Sequence, residues 1–343
     1  MMRVVQVNKF GDTSGLVDAE TKIPEPKERE IRVKINYAGF NPVSCKIRKG
    51  EFGGSCPIIL GEDFSGVVNE VGKYASSLKK GDPVYGMSFV KCSNGSNAEY
   101  TCVIEELVHK KPENISFKEA SSVPLAVLTA YKAIIASNAV KKGDTVFLTG
   151  IGGGVGSFAV QFLRHLEVKA IYTVAKDETS KQFIEEKLQI PSENILIYDG
   201  LSTTEREQQL IKMNDNSPFD TTLDFIGGDA KELCIQLTKC SGNLVTILPE
   251  DEKFKTPGWG GPVFMKNMTV TQVFVGAELH SEDRGRYLIY QQYLSKITKF
   301  IEDGVLKMPE ILSLGSLSAK TVKKAHGLLE SSRVKGKLVM EIA

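Results

Sequence analysis

Neither sign of charge dominates this chain: 43 lysines and arginines stand against 42 aspartates and glutamates over 343 residues, a formal net charge of +1. A protein dedicated to nucleic acid or to an anionic membrane carries a basic excess, so neither is expected as the main partner. Six cysteines (Cys45, Cys56, Cys92, Cys102, Cys234 and Cys240) lie far apart without a C-x-x-C pair. That removes the usual marks of a zinc knuckle, a redox centre or a disulfide framework and fits free thiols in a reducing compartment. Long apolar runs are lacking as well. The nearest, residues 146–163, has no charge but holds five glycines, so it reads as strand, turn and helix, and no membrane span is expected. Met1 to Val7 pass directly into an alternating strand pattern, without the basic and apolar regions of a signal peptide, and a cytoplasmic location is expected.

What is present is ordinary globular composition, 41% hydrophobic and 25% charged, in a length suited to one large or two ordinary domains. Up to about residue 120 the text is strand-rich and punctuated by glycine, as in 31–37 and 66–72, which suggests a compact β-barrel-like unit. From Ala120 onward longer apolar helices alternate with short buried strands at 145–149, 170–174, 222–225, 244–248 and 270–275. Strands apolar on both faces and separated by helices indicate a doubly wound parallel sheet. Beyond residue 280 come a helix, short strands and a further helix, a tail too small to hold its own core and expected to complete the N-terminal unit. There is no internal repeat, low-complexity tract or linker.

One segment carries the first chemical signal. Residues 142–150 read as a turn and a buried strand, and Gly152, Gly153, Gly154, Val155 and Gly156 then open an amphipathic helix. Glycines there permit a tight turn and let pyrophosphate approach backbone N–H groups at a helix N-terminus. A strict G-x-G-x-x-G fails in every register, so the strand–turn–helix context carries the weight. Where an acid would select the ribose hydroxyl of NAD, the strand runs into Ala175, Lys176, Asp177 and, further on, Lys181. The two lysines favour the 2′-phosphate of NADPH, while Asp177 leaves NADH open.

Several segments in order resemble one family: 41–50 (Asn41-Pro42-Val43-Ser44-Cys45-Lys46 and onward), 57–66 (through Gly61-Glu62-Asp63), 81–86, 98–100, 120–125, 129–131, the glycine turn, 224–228 and Gly336-Lys337. Over nearly the whole length the chain is similar to the medium-chain dehydrogenase/reductase superfamily, in its zinc-free quinone oxidoreductase and enone reductase branch, the zeta-crystallin-like group. The resemblance implies an α/β protein with a GroES-like β-barrel-type catalytic domain (1–122, completed by 278–343) plus a doubly wound parallel-sheet Rossmann domain (123–277). Zinc alcohol dehydrogenases of the superfamily carry Gly-His-Glu where this chain has Gly61-Glu62-Asp63. The four histidines (His109, His165, His280 and His326) are scattered, so no tetrahedral metal site is expected.

Without a Lewis acid, hydride goes most easily to a carbon made electrophilic by conjugation, and a positioned donor must stabilise the charge that develops on the carbonyl oxygen. Typical quinone reductases of the branch present tyrosines where this chain has Lys46 and Phe52. That departure fits the enone-reductase-like subgroup and points to Lys46 as the donor, with Asn41 beside the nicotinamide ribose. The resemblance also carries cofactor contacts over to Thr129, Tyr198, Ile226, Phe274 and Val275, and implies a homodimer, for which 268–275 offers a sheet edge. Arg48 and Lys49 are expected on a solvated face, Cys45 as an inert packed thiol, and 256–264, with Trp259, either as a loop over substrate or, equally, as a structural connection with an anchoring aromatic. The expected activity is NADPH-dependent reduction of a small conjugated carbonyl. An NADPH:quinone oxidoreductase stands second, and an NADPH-binding sensor or structural protein of little turnover third.

Overall fold

The computed structural model describes residues 1–89, 94–249, 261–331 and 334–342. The chain forms two compact units, Thr129–Val275 and, from both ends of the sequence, Met1–Leu128 with Gly276–Ala343.

In the central unit a parallel sheet runs in the order Ile195–Ile197, Ala170–Ala175, Thr145–Leu148, Phe219–Asp224, Thr238–Thr246, Thr269–Gln272. The chain order reverses between the neighbours Thr145–Leu148 and Phe219–Asp224, the topological switch point at which this architecture binds ligands. All four residues of Thr145–Leu148 are buried, as a strand covered on both faces requires. Phe147 and Tyr172 pack on Phe219, with ring centroids 5.7 and 5.2 Å apart, and Leu210, Leu233 and Leu244 close the cluster. Two strands begin earlier than the apolar pattern suggests, because polar residues serve at their N-terminal ends: Asp220 accepts from the Thr145 amide at 2.7 Å and pairs with Lys239. Ile195–Ile197 is too short to stand out in the sequence. The last strand is also shorter than expected. Thr269–Gln272 ends the sheet as an edge strand, while Val273 and Val275 turn inward and Phe274 stays 44% exposed.

The other unit holds a seven-stranded sheet in the order Ile311–Ser316, Lys337–Glu341, Glu30–Phe40, Asp63–Val71, Pro83–Met87, Val108–Lys110, with Tyr100–Ile104 also paired to Glu30–Phe40. A three-stranded sheet of Leu16–Thr21, Met2–Val7 and Ile58–Ile59 accompanies it. Lys337–Glu341, from the far end of the chain, lies antiparallel against Tyr37–Phe40, so the C-terminal tail does complete the sheet begun at the N-terminus. Among the described residues no helix is long and apolar enough to cross a membrane.

Candidate functional site

Pro42 starts the Pro42–Lys49 helix, where its missing N–H costs nothing, and Gly50 ends it at φ 88°, in the left-handed region that glycine tolerates best. Asn41 stands at the N-cap but its side chain makes no capping bond. Its amide serves a buried charged group instead. Nδ2 donates to Asp63 Oδ2 at 2.9 Å, and Oδ1 accepts from Lys337 Nζ at 2.5 Å. Lys337 Nζ also donates to Asp63 Oδ2 at 3.0 Å and to the Phe40 carbonyl at 3.2 Å, while Asp63 Oδ1 accepts from the Leu125 amide at 2.7 Å. The Lys337–Asp63 pair is almost wholly out of water, with 4% and 0% of the side chains exposed.

Glu62, next to Asp63, is also buried but has no cation of its own among the described residues. Both carboxyl oxygens lie against Ser44 Oγ, at 2.6 and 2.7 Å, and Asn41 is a further donor to it. Burial pushes its carboxyl up to about 7, reinforced by the Asp63 charge and opposed by the Ser44 and Asn41 hydrogen bonds and by Lys337. Burial likewise pushes the Cys45 thiol up to about 11, which keeps it an unreactive packed thiol.

Lys46 lies on the same helix, half-buried, and its ammonium has no partner among the described residues. Phe52 is 59% exposed. The expectation of a solvated Arg48 is overturned: its side chain is 1% exposed because the Pro42–Lys49 helix packs on Ala319–Glu330. There Arg48 Nε donates to His326 Nδ1 at 3.1 Å, one Nη donates to the Gly11 carbonyl at 2.7 Å, and the other pairs with Glu330. Lys49 is the exposed member, 3.0 Å from Glu330.

The central unit builds a different kind of site. Gly153 caps the Gly154–His165 helix with extended backbone. A Cβ at Gly152 would meet only Phe183, at 3.7 Å, and one at Gly153 only the Gly150 carbonyl oxygen, at 3.5 Å. At Gly156, by contrast, a Cβ would lie 2.3 Å from the Gly150 carbonyl oxygen and 2.6 Å from Ile151 Cα. The glycines therefore divide their work: Gly156 permits close helix–strand packing, while Gly152 and Gly153 leave the backbone open to a ligand at the helix N-terminus. This cradle fits a dinucleotide pyrophosphate.

One strand over, the Tyr198 amide donates to the Ala175 carbonyl at 2.9 Å, which brings the residues after Ala170–Ala175 beside Tyr198. Asp177 caps the Glu178–Leu188 helix by accepting from the Ser180 amide at 2.8 Å. Lys176 is exposed, Lys181 stands 3.8 Å from Glu185, and the Arg206 guanidinium lies 4.7 Å from the centre of the Tyr198 ring. Ile226 is 57% exposed beyond Asp224, whose Oδ1 holds the Ile226 and Gly227 amides at 3.1 and 2.7 Å. Thr129 is buried. Residues 256–260, with Trp259, lie outside the described residues, as does Cys92, and Phe264 is exposed on the short Pro262–Met265 helix.

Sequence reasoning named Asn41 but missed its partners Asp63, Lys337, Glu62 and Ser44 as a group. Each lay inside a quoted family segment. The available signal was three charged residues in stretches otherwise apolar enough to be core.

Comparison with known proteins places these features. Residues 27–113 match the family model described as alcohol dehydrogenase GroES-like domain, and 201–340 the one described as zinc-binding dehydrogenase. The chain is 27% identical over 350 residues to a quinone oxidoreductase of Homo sapiens, covering 99% of this chain and 98% of the relative. It is 30% identical over 350 residues to the 2-methylene-furan-3-one reductase of Solanum lycopersicum, covering 99% and 79%. In fold it matches the quinone oxidoreductase of Escherichia coli complexed with NADPH, with a TM-score of 0.81 at 20% identity and 99% of each chain covered. The residues present do not fit the zinc that one of these descriptions names. Among the described residues no group of three or more His, Cys, Asp or Glu could hold a metal ion. Glu62 and Asp63, where zinc relatives place His and Glu, are held by Ser44 and Lys337.

Proposed function

The chain belongs to the medium-chain dehydrogenase/reductase superfamily, in its quinone oxidoreductase branch, and is an oxidoreductase; on that premise we propose that it reduces small conjugated carbonyls with NADPH and without zinc. The two ends of the chain (1–122 and 278–343) form the catalytic domain and 123–277 the cofactor domain. Gly152, Gly153, Gly154, Val155 and Gly156 hold the pyrophosphate. Lys176, Lys181 and Tyr198, beside Ala175, take the 2′-phosphate end. Asp177 is already engaged as a helix cap, which supports NADPH over NADH. Thr129, Ile226, Phe274 and Val275 take the nicotinamide end, and the family resemblance adds Asn41 as its contact from the catalytic domain. When bound, the reduced nicotinamide supplies a hydride.

The observation that carries the enone reading is Lys46, a half-buried ammonium with no partner among the described residues, at a position where quinone reductases of the branch present a tyrosine. A cation placed there stabilises the negative charge that develops on the substrate oxygen. The identity to a 2-methylene-furan-3-one reductase supports the same choice. The full-length likeness to a human quinone oxidoreductase favours quinone reduction as the second reading. The test is cofactor oxidation by the purified protein, with NADPH and NADH, against a small α,β-unsaturated ketone and an ortho-quinone, repeated on Lys46→Met. Enone turnover that collapses in the variant while NADPH binding survives supports the proposal. Faster quinone turnover indifferent to the substitution selects the second reading. Tight NADPH binding with no turnover turns the case to a sensor. The exposed edge strand Thr269–Gln272 supports a homodimer, to be checked by mass in solution, and the free thiols and balanced charge support a cytoplasmic protein with neither nucleic acid nor membrane as its partner.

A further inference from the structure

Within the central unit, three turns leave the carboxyl ends of the adjacent parallel strands Thr145–Leu148, Phe219–Asp224 and Thr238–Thr246, at the switch point of the sheet, and they are bonded to one another. The Phe225 amide donates to Thr149 Oγ1 at 3.2 Å, and a Cβ on Gly150 would stand 3.2 Å from Ile226 Cγ1, so the glycine turn touches the turn after Phe219–Asp224. Asp224, 0% exposed, holds the Ile226 and Gly227 amides with Oδ1 and accepts from Thr246 Oγ1 at 2.8 Å with Oδ2. Thr246 Oγ1 accepts in turn from the Leu248 amide at 3.2 Å, and a Cβ on Gly227 would stand 3.2 Å from Leu248 Cγ.

Lys231 is the third residue of the Asp229–Leu237 helix and only 5% exposed. Its ammonium donates to the Leu248 carbonyl at 3.2 Å and to the Pro249 carbonyl at 2.8 Å, and no carboxylate pairs with it among the described residues. Two effects oppose a lysine in this place. An ammonium out of water without an anion is costly, and a cation in the first turn of a helix works against the helix dipole. What the lysine contributes is a tie between the turn after Phe219–Asp224 and the end of Thr238–Thr246; Asp224 with Thr246 is a second tie between the same two segments. The turn needs them. Gly227 and Gly228 both adopt left-handed φ, 84° and 58°, and a glycine pair has the most conformational freedom to lose. A Cβ on Gly228 would meet nothing within 4 Å, so the backbone there is open to a ligand.

We propose that Lys231 is a positioning residue for the cofactor: by joining two strand ends it presets the Ile226–Gly228 turn in the form that receives the nicotinamide half of the dinucleotide. This rests on the cofactor reading above, in which Ile226 serves that half and Lys176, Lys181 and Tyr198 the adenosine end. Order established before the cofactor arrives does not subtract from its affinity. Cutting the tie therefore weakens the hold on the nicotinamide half and leaves the adenosine end as it was.

The experiment compares two ligands on the full chain by titration calorimetry: NADPH, and adenosine 2′,5′-bisphosphate, which has the adenosine end but neither the nicotinamide nor its ribose. If the chain prefers NADH, then NADH and adenosine 5′-phosphate take their place. Lys231→Met should weaken NADPH binding by about tenfold or more and binding of the bisphosphate by less than about twofold, and Thr246→Val, which cuts the second tie, should show the same split. A substitution that only loosens the fold lowers the thermal midpoint without separating the two affinities, so an unchanged ratio between them overturns the proposal. Hydrogen exchange on the wild type without ligand needs no variant and decides the matter should Lys231→Met not fold. The Ile226, Gly227 and Leu248 amides should already exchange slowly; protection that appears only with NADPH bound means that the turn is not preset, and the proposal falls. A wild type that binds the bisphosphate as tightly as NADPH removes the nicotinamide half from this turn and the proposal with it, whereas one that binds no dinucleotide overturns the cofactor reading itself.

Discussion

Glu62 and His326 belong to the same unit and pull its stability in opposite directions with pH. Glu62 is raised from an ordinary 4.5 to about 7, chiefly by burial. The stability that its protonated form contributes is full below about pH 4.5 and is lost as pH rises through about 7, a change of about 3 kcal/mol. His326 is lowered from 6.5 to about 4, by burial first and then by the Arg48 charge. Its Nδ1 accepts from Arg48, so the ring carries its hydrogen on Nε2, which is buried without a partner among the described residues. The stability of the neutral ring is full above about pH 6.5 and is lost as pH falls through about 4, again about 3 kcal/mol. Between about pH 4.5 and 6.5 each group differs from its unfolded state by one proton, with opposite sign, and the two slopes of about 1.4 kcal/mol per pH unit cancel. Glu62→Gln should expose the histidine slope, with stability climbing by about 3 kcal/mol relative to wild type across that window. His326→Gln, which keeps an acceptor for Arg48 but does not titrate, should show the reverse, and the double variant should run parallel to wild type. Urea midpoints of the transition of this unit, taken at a series of pH values with constant m, measure it. Single-variant curves that stay parallel to wild type would refute the assignment of both groups.

Lys337→Met strands Asp63 as a buried carboxyl without its cation and should lower the stability of that unit by about 3–5 kcal/mol; Asp63→Asn added to it should recover part of the loss, and a urea midpoint within about 1 kcal/mol of wild type for the single variant would contradict the geometry. Gly156→Ala drives a Cβ onto backbone atoms of Gly150 and Ile151 and should cost the central unit about 1–3 kcal/mol together with NADPH binding. Gly152→Ala meets only the Phe183 ring and should leave the thermal midpoint near wild type, so that any loss of NADPH affinity measured by titration calorimetry reports approach to the pyrophosphate alone.

How much of this was legible from the chain depends on how far apart the partners lie. The parallel sheet was legible because Thr145–Leu148 is apolar on both faces, and the glycine turn because Gly156 is needed for packing that a local strand–turn–helix reading already contains. Asp177 as a helix cap is a local bond, three residues wide, and could have been read. Arg48 could not. A lysine- and arginine-rich helix end looks solvated until Glu330 arrives from 282 residues away. The same holds for Asn41, whose carboxylate partner is 22 residues on and whose ammonium partner is 296 residues on. Periodicity and motif order report which side of an element is buried, whereas the pairing of buried charges is a long-range fact.

That pairing also explains why one of the buried acids remains neutral. Arg48 has Glu330 and the His326 ring, and Lys337 has Asp63, so both of these buried cations meet an anion. Among the described residues no further cation faces Glu62, so its carboxylate would add an unpaired negative charge, and electrostatics favours the protonated form there. The same unpaired carboxyl thus sets a stability slope as pH rises toward about 7. Glu62→Gln must abolish that slope: a slope that survives the substitution would mean that a different buried group holds the proton.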